Sequence, residues 1–255
     1  MTKLILCGAG GKMGRTIATL AAAEPERFRV VAGADKYADP RQFPFPLFPD
    51  LASCTEHADA VIDFSRPDAL EDVLAFCKAN GCGAVLGTTG YTAEQKERIE
   101  RTASEIPIFQ TFNLSLGITL LSNLVRQAAE FLGESFEVEI IEKHHDQKVD
   151  APSGTALMLA SAVTGRSEAD YVYGRQGRDC KRTPREIGIH AVRGGTVVGE
   201  HEVLFLGHDE EITLAHRAQS KAVFAQGALR ASEFLKGKPA GKYNMDDYIR
   251  EKMNK

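Results

Sequence analysis

Leu4-Ile5-Leu6-Cys7-Gly8-Ala9-Gly10-Gly11-Lys12-Met13-Gly14-Arg15 decides how this chain is read. An apolar run of strand length meets a cluster of glycines and passes directly into a helical composition that lasts to Ala23. A strand that must turn sharply, let its backbone approach a pyrophosphate and open a helix needs residues without Cβ at those points; the helix N-terminus then faces the anion. The spacing departs from strict G-x-G-x-x-G: position 13 is Met, and the glycines fall as G-x-x-G-x-x-G from Gly8 to Gly14. On glycines alone, a nucleotide turn and a plain structural turn both stand. Asp35 lies 21 residues beyond Gly14, close to the spacing at which an acidic residue accepts the ribose 2′-hydroxyl of NAD. Asp35 repels a 2′-phosphate and Lys36 attracts one, so the pair points to NAD with NADP tolerated. A capping Asp beside a solvated Lys is the alternative.

Outward from this turn, the first 110 residues alternate short β-rich runs with helical patterns, as βαβ units feeding a parallel sheet do. Strands are expected at Lys3–Gly8, Phe28–Asp35, Ala60–Ser65, Gly83–Gly87 and Pro107–Thr111. Helices are expected at Met13–Ala23, Asp68–Ala79 and Thr92–Ser104, the last with Thr92 as N-cap. Pro40–Pro49 lacks periodicity and reads as a loop. Gly87-Thr88-Thr89-Gly90 ends another parallel strand at its carboxyl end, where an open α/β sheet places its ligand. After Asn113 the character changes. A long apolar helix, Leu116–Leu132, precedes a strand at Phe136–Glu142, and further strands at Glu186–Val192, His201–Leu206 and Glu211–His216 follow without intervening helices. That is α+β in style, with a mixed or antiparallel sheet. Tyr173–Arg185 reads as a basic loop, Lys221–Phe234 as a last helix, and Gly237–Gly241 as a turn into a short tail.

The 255 residues correspond to a prior of about 1.7 domains at roughly 150 residues each. Lys plus Arg number 31 against 35 Asp plus Glu, a net charge of −4 that argues against non-specific nucleic-acid binding. With 43% hydrophobic and 26% charged residues a sizeable core can be buried, which disorder would forbid. No apolar run is long enough to span a membrane, and Met1-Thr2-Lys3 leads straight into a strand without a signal-peptide layout, so the expected location is cytoplasmic. The five Cys (7, 54, 77, 82 and 180) are scattered without Cys-x-x-Cys spacing, which points to reduced, mostly buried thiols rather than disulfides or structural zinc.

The densest polar stretch is Glu142-Lys143-His144-His145-Asp146-Gln147-Lys148-Val149-Asp150-Ala151-Pro152-Ser153-Gly154-Thr155-Ala156. Pro-Ser-Gly-Thr-Ala opens a helix with hydroxyls, amides and no bulk at Gly154, which suits a carboxylate, and Lys148 can neutralise the same anion. Three readings compete. A metal site lacks a third well-spaced ligand, and no metal is expected. A solvated turn is the bland reading. An anion-binding acid/base site draws on His titrating near neutrality and on Lys as a proton donor, with a Schiff-base lysine as a variant. The nucleotide turn upstream favours hydride chemistry.

These residues resemble the 4-hydroxy-tetrahydrodipicolinate reductase (dihydrodipicolinate reductase) family over nearly the whole chain. The resemblance rests on Gly8–Gly14, Asp63-Phe64-Ser65, Gly87–Gly90, Asn113–Gly117, Glu142–Ala156, Glu186–Gly195, Gly199-Glu200-His201 and Phe224–Ala228, most of all on His144-His145-x-x-Lys148-x-Asp150-Ala151-Pro152-Ser153-Gly154-Thr155. It implies an α/β Rossmann-like parallel-sheet domain (1–114 and 229–255) that binds NADH or NADPH, and an α+β substrate and tetramerisation domain with a mixed sheet (115–228). His144 and Lys148 match the family's catalytic positions, with Lys148 as proton donor. His145, Gly154 and Thr155 match its substrate-binding positions. The cofactor would touch Gly8, Ala9, Gly10, Gly11, Lys12, Met13, Asp35, Lys36, Gly87, Thr88, Thr89, Thr111, Phe112, Asn113 and Leu114. The implied reaction is NAD(P)H-dependent reduction of a small dicarboxylate in the diaminopimelate route to lysine, by a homotetramer without nucleic-acid or membrane partners. Asp35-Lys36, Leu114 and Lys221 depart from the family's commoner residues and bear on cofactor preference. Hinges are expected near Asn113–Gly117 and at Gly227, and the basic loop offers field for the dianion, solvated surface or a subunit contact. A related amino-acid dehydrogenase would share Gly8–Gly14 but lack the His144–Thr155 block; a non-catalytic nucleotide sensor would keep Asp35 and need no Lys148.

Overall fold

Strands β1 (Thr2–Cys7), β2 (Phe28–Ala34), β3 (Leu47–Phe48), β4 (Ala60–Asp63), β5 (Gly83–Leu86) and β6 (Pro107–Gln110) alternate with helices α1 (Lys12–Ala23), α2 (Leu70–Asn80) and α3 (Ala93–Thr102) in a computed structural model that describes residues 1–111 and 113–253. Then come α4 (Leu116–Leu132), β7 (Glu137–His144), α5 (Gly154–Ala162), β8 (Tyr171–Tyr173), β9 (Ile187–Arg193), β10 (Gly199–Leu206), β11 (Glu211–Ala218), α6 (Ala222–Leu235), β12 (Gly241–Tyr243) and α7 (Met245–Met253). The chain divides into two compact units, residues 1–115 with 222–255 and residues 116–221.

The first unit is a seven-stranded sheet ordered β12-β6-β5-β4-β1-β2-β3, every pair parallel. Strands β4 (Ala-Val-Ile-Asp) and β5 (Gly-Ala-Val-Leu) are buried at every residue, as strands covered on both faces are. Helix α3 starts where Thr92 and Gln95 exchange side-chain and backbone hydrogen bonds in a capping box. Helix α6 packs along β4, β5, β6 and α1 through Ala225, Ala228, Leu229 and Leu235. Three short pieces escaped sequence reading. Leu47-Phe48 sits in the proline-rich stretch taken as loop, yet it pairs with Gly33 and Ala34 as an edge strand, where proline is tolerated. The tail holds β12, paired to β6, and α7. Two- and three-residue strands show no periodicity to read.

The second unit is a five-stranded mixed sheet ordered β11-β10-β7-β9-β8, with β7, β9 and β8 parallel and β10 antiparallel to both its neighbours. Along β7 the burial alternates strictly: Val138, Ile140, Glu142 and His144 face inward and Glu137, Glu139, Ile141 and Lys143 outward. Helices α4 and α5 cover the inner face, Ile118, Leu121, Val125 and Ala129 of α4 closing the core with Leu159 and Ala160 of α5. The period that buries Val138 and Ile140 also buries a carboxylate and an imidazole, and that arrangement shapes the site.

Candidate active site

The sequence-assigned residues fall in two sets, one on each unit. On the first, Gly8 ends β1 at φ +77°, and a Cβ there would lie 2.7 Å from the Phe64 carbonyl oxygen. A Cβ on Gly14 would lie 2.4 Å from the Gly8 oxygen, so α1 packs onto the turn only with glycine at that point. Gly11 caps α1 in extended conformation without any side-chain hydrogen bond, and no acidic residue stands in the first turn; the amides of Lys12 and Met13 open the helix beside the glycines. Asp35 ties this turn to the end of β2: one carboxylate oxygen accepts from the Gly10 amide at 2.9 Å, the other from the amides of Tyr37 and Ala38 at 3.0 and 3.1 Å. The capping role weighed for Asp35 is thus present, and it holds the carboxylate at the lip of the glycine turn. Lys36 is exposed beside the Tyr37 ring.

Asp63, quoted above only for the resemblance, supports this end. Asp63, fully buried at the end of β4, accepts from the Ser65 amide at 3.0 Å, its hydroxyl at 2.5 Å and the Tyr91 hydroxyl at 3.3 Å. Burial and the Asp63 charge push the Cys7 thiol up to about 12, so it is inert. The Asp63 carbonyl accepts from the Gly87 amide, which places Gly87-Thr88-Thr89 at the carboxyl edge of the sheet next to the glycine turn's strand pair. The Thr111 hydroxyl donates to the Asn113 carbonyl and Asn113 Oδ1 accepts from the Ser115 amide, while Leu114 is buried. Phe112 lies outside the described residues. Arg15, not singled out from sequence, is exposed in the first turn of α1, where it donates to the Gly10 carbonyl. The Cβ-free cradle, the uncapped helix end and the carboxylate at the β2 terminus fit a dinucleotide.

On the second unit, β7 delivers His144, the loop after it His145 and Lys148, and α5 opens at Gly154 and Thr155. Lys148 Nζ pairs with Asp150 at 2.8 Å. Ser153 caps α5 by accepting from the Ala156 amide, and nothing stands within 4 Å of where a Gly154 Cβ would lie, so that helix end is open. Glu142 organises the rest. Its carboxylate, wholly buried, accepts from His144 Nδ1 at 2.6 Å, from both terminal nitrogens of Arg193 at 2.8 Å and from the Ser153 amide at 2.9 Å. Burial opposes its charge, but the hydrogen bonds from Arg193, His144 and Ser153 hold its pKa below the usual carboxylate range. Arg193 also reaches the Asp150 carbonyl at 2.6 Å, so it fixes the loop that carries Lys148. His201, opposite Glu142 in the β7–β10 register, packs edge-on to His144 at 5.2 Å with its Nε2 3.1 Å from the Ser153 hydroxyl. Burial, then the neighbouring His144, push its pKa down to about 4. Burial lowers His144 too, so both imidazoles are neutral at pH 7.

Glu142, Arg193 and His201 were missed as site residues, although one signal was legible: a Glu at an inward position of an alternating strand demands a buried cation. The basic loop has other partners than a dianion. Arg175 binds Glu139 and Glu186, Arg182 binds Glu139 and the Val138 carbonyl, and Arg185 binds the Gly165 carbonyl, together pinning the loop to the sheet. Gly227, expected as a hinge, lies inside α6, where a Cβ would meet the Leu114 carbonyl oxygen at 1.8 Å, so close packing is enough to require the glycine. Among the described residues no group of three or more His, Cys, Asp and Glu is arranged to hold a metal ion, and no helix is long and apolar enough to cross a membrane.

Comparison with known proteins bears on both units. Residues 2–114 match the family model for dihydrodipicolinate reductase, N-terminus, and residues 117–249 the model for its C-terminus. The 4-hydroxy-tetrahydrodipicolinate reductase of Clostridium novyi (strain NT) is 47% identical over 99% of this chain and all of its own, and that of Caldanaerobacter subterraneus subsp. tengcongensis 48% over 98% and 99%. Among solved structures, a dipicolinate-bound dihydrodipicolinate reductase from Paenisporosarcina sp. TG-14 is similar with a TM-score of 0.77 and 26% identity, covering 98% of this chain and 99% of that one. A scyllo-inositol dehydrogenase from Lactobacillus casei, at 14% identity and a TM-score of 0.61, shares the fold alone. Neither the amino-acid dehydrogenase nor the non-catalytic sensor is favoured by these matches, and the chain belongs to the dihydrodipicolinate reductase family.

Proposed function

We propose that this chain reduces 4-hydroxy-tetrahydrodipicolinate to tetrahydrodipicolinate with NADH or NADPH, in the diaminopimelate route to lysine. One observation carries the reading: the family match runs through both units, so the dinucleotide end and the His144–Thr155 block occur in one chain of an oxidoreductase family. NAD(P)H, when bound, supplies the hydride. Gly8 to Met13, Asp35, Lys36, Gly87 to Thr89 and Thr111 to Leu114 are the residues proposed to hold it, in the domain formed by 1–114 and 229–255. Residues 115–228 form the proposed substrate and tetramerisation domain.

The substrate is a dicarboxylate, and the N-terminus of α5, open at Gly154, offers its dipole to one carboxylate, with Thr155, His145 and Lys148 in the same block. Oriented this way the ring loses its 4-hydroxyl as water and, once reduced at C4, takes a proton on the adjacent ring carbon from the Lys148 ammonium, while His144 assists. The outer face of the mixed sheet, with Ile141, Leu204 and Leu206 half-buried and Val192 exposed, supports a homotetramer assembled through these sheets. A cytoplasmic location is the expectation for an enzyme of the lysine route.

The test is oxidation of NADH and of NADPH that depends on freshly condensed pyruvate and aspartate semialdehyde. Turnover with either cofactor is expected; none with both overturns the reading. Light scattering on the purified protein checks the tetramer.

A further inference from the structure

Three elements meet at one carboxylate. Glu142 leaves β7 on the buried face, Arg193 comes from the neighbouring strand β9, where its register partner is His144 itself, and the Ser153 amide belongs to the cap of α5. Every oxygen of Glu142 is engaged: Oε2 by His144 Nδ1 and Arg193, Oε1 by Arg193 and the Ser153 amide. An ionised carboxylate only accepts hydrogen bonds, so at 2.6 Å the proton on the His144 ring stands at Nδ1. The other ring nitrogen, Nε2, lies beside Gly199, where a Cβ would come within 3.1 Å of it, so the glycine leaves room at that atom.

We propose that Glu142, clamped by Arg193, is a positioning residue of the substrate site: it fixes His144 in the Nδ1–H tautomer and thereby presents a bare Nε2 lone pair as an acceptor. The proposal rests on the reading of His144 and Lys148 given above, and it divides their labour. A neutral imidazole with a bare Nε2 accepts a hydrogen bond from an ammonium or from substrate and has no proton to give there. The donor proton therefore comes from Lys148: its N–H bond breaks as a C–H bond forms on the ring carbon, and solvent reprotonates the amine. The charged and titratable groups around His144 are Glu142 on its own strand, Arg193 from β9, Lys148 from the following loop and His201 from β10. Of these, burial and the two cations lower the His144 pKa and Glu142 raises it.

The decisive measurement is made on the parent protein. Protein carrying ring-15N histidine is recorded at pH 8, where His144 is neutral, and its signals are assigned by their loss in His144→Gln. A protonated Nδ1 with a bare Nε2 is expected; the opposite tautomer overturns the proposal. In Glu142→Gln the side-chain NH2 can donate to Nδ1 and so favours Nε2–H. The spectrum is then expected to invert, kcat/KM to fall about 10- to 100-fold, and the acid limb of its pH profile to move to lower pH, with NADH binding retained. An unchanged tautomer with kcat/KM within about twofold of the parent overturns the proposal. If the variant does not fold, the parent spectrum still decides. Lack of turnover by the parent protein refutes the reading of function and leaves the tautomer result standing, so the two failures are distinct.

Discussion

Helices α1 and α5 both open next to residues assigned to an anion, and they are built in opposite ways. Helix α1 begins at a glycine without a side-chain cap, and its neighbourhood is defined by missing atoms: no Cβ at Gly8 or Gly14, no acidic residue in the first turn. Helix α5 begins at Ser153, whose hydroxyl caps Ala156 and contacts His201 while its amide is held by a buried Glu142–Arg193 pair. The first end has only backbone to offer a charged group. The second anchors its helix through a side-chain network, so the groups placed around it can be chemical as well as electrostatic. Hydride transfer asks little more of the cofactor end than position, whereas proton delivery needs a group held at one place in one protonation state.

The largest expected effect breaks the chemistry at the second end and spares the first. Lys148→Ala removes the donor without touching Glu142, Arg193 or the α5 cap, and should lower kcat by a hundredfold or more, about 3 kcal/mol of transition-state stabilisation. NADH affinity, followed by fluorescence titration, should survive. Near-normal turnover would sink the role given to Lys148. The converse variant is Gly14→Ala. Its Cβ would press on the backbone of Gly8 and Ala9 at 2.4–2.7 Å, none of which can swing aside, so a cost toward the top of the usual overpacking range of about 1–3 kcal/mol is expected, with weakened NADH binding. A urea midpoint and a NADH affinity equal to the parent's would show that the turn has slack the geometry denies.

The contrast also explains what could be read in advance. The cofactor end is local in sequence: the glycines lie within seven residues, and Asp35 follows at a spacing fixed by one βαβ unit. The parallel sheet was legible for the same reason, because fully buried strands such as Ala60–Asp63 are continuous apolar runs between turns. His144, Lys148 and Gly154 stand out as candidates because they crowd into one stretch. Glu142, Arg193 and His201 are brought together by strand register across some sixty residues, and only a sheet order of β10-β7-β9 makes them neighbours. Residue types alone do not carry that order. The partners of the basic loop are illegible in sequence for a related reason, since Glu139, which takes Arg175 and Arg182, sits more than thirty residues away.

The buried network should also leave a mark on stability. His201 has its pKa pressed from an ordinary 6.5 to about 4 in the folded protein. A base with a lowered folded pKa leaves the unfolded chain binding more protons between those values. Its contribution is therefore present above pH 6.5 and is lost as pH falls toward 4. Between pH 7 and pH 5 the loss is about 2 kcal/mol, to be read from urea midpoints. In His201→Gln that part of the pH dependence should disappear, although the variant is less stable at pH 7. An unchanged slope would mean that water reaches His201 and that the second end is wetter than its burial of 4% exposure indicates.

The smallest effect probes whether the backbone-built end has any side-chain selectivity at all. Asp35 spends both carboxylate oxygens on loop amides, so it would meet a ribose hydroxyl as a fixed acceptor and a 2′-phosphate as a fixed negative charge. Lys36 beside it is exposed and free to turn, the one cation next to that carboxylate along the chain. Exposed charges are screened within about 8–10 Å at physiological salt, so Lys36→Ala should cost NADPH only about three- to tenfold in kcat/KM and leave NADH unchanged. The difference should shrink as salt is raised. A loss shared equally by both cofactors would place Lys36 on the pyrophosphate or adenine instead. A loss that salt does not diminish would mean that Lys36 is ordered by cofactor binding, and the exposed lip would then resemble the buried end.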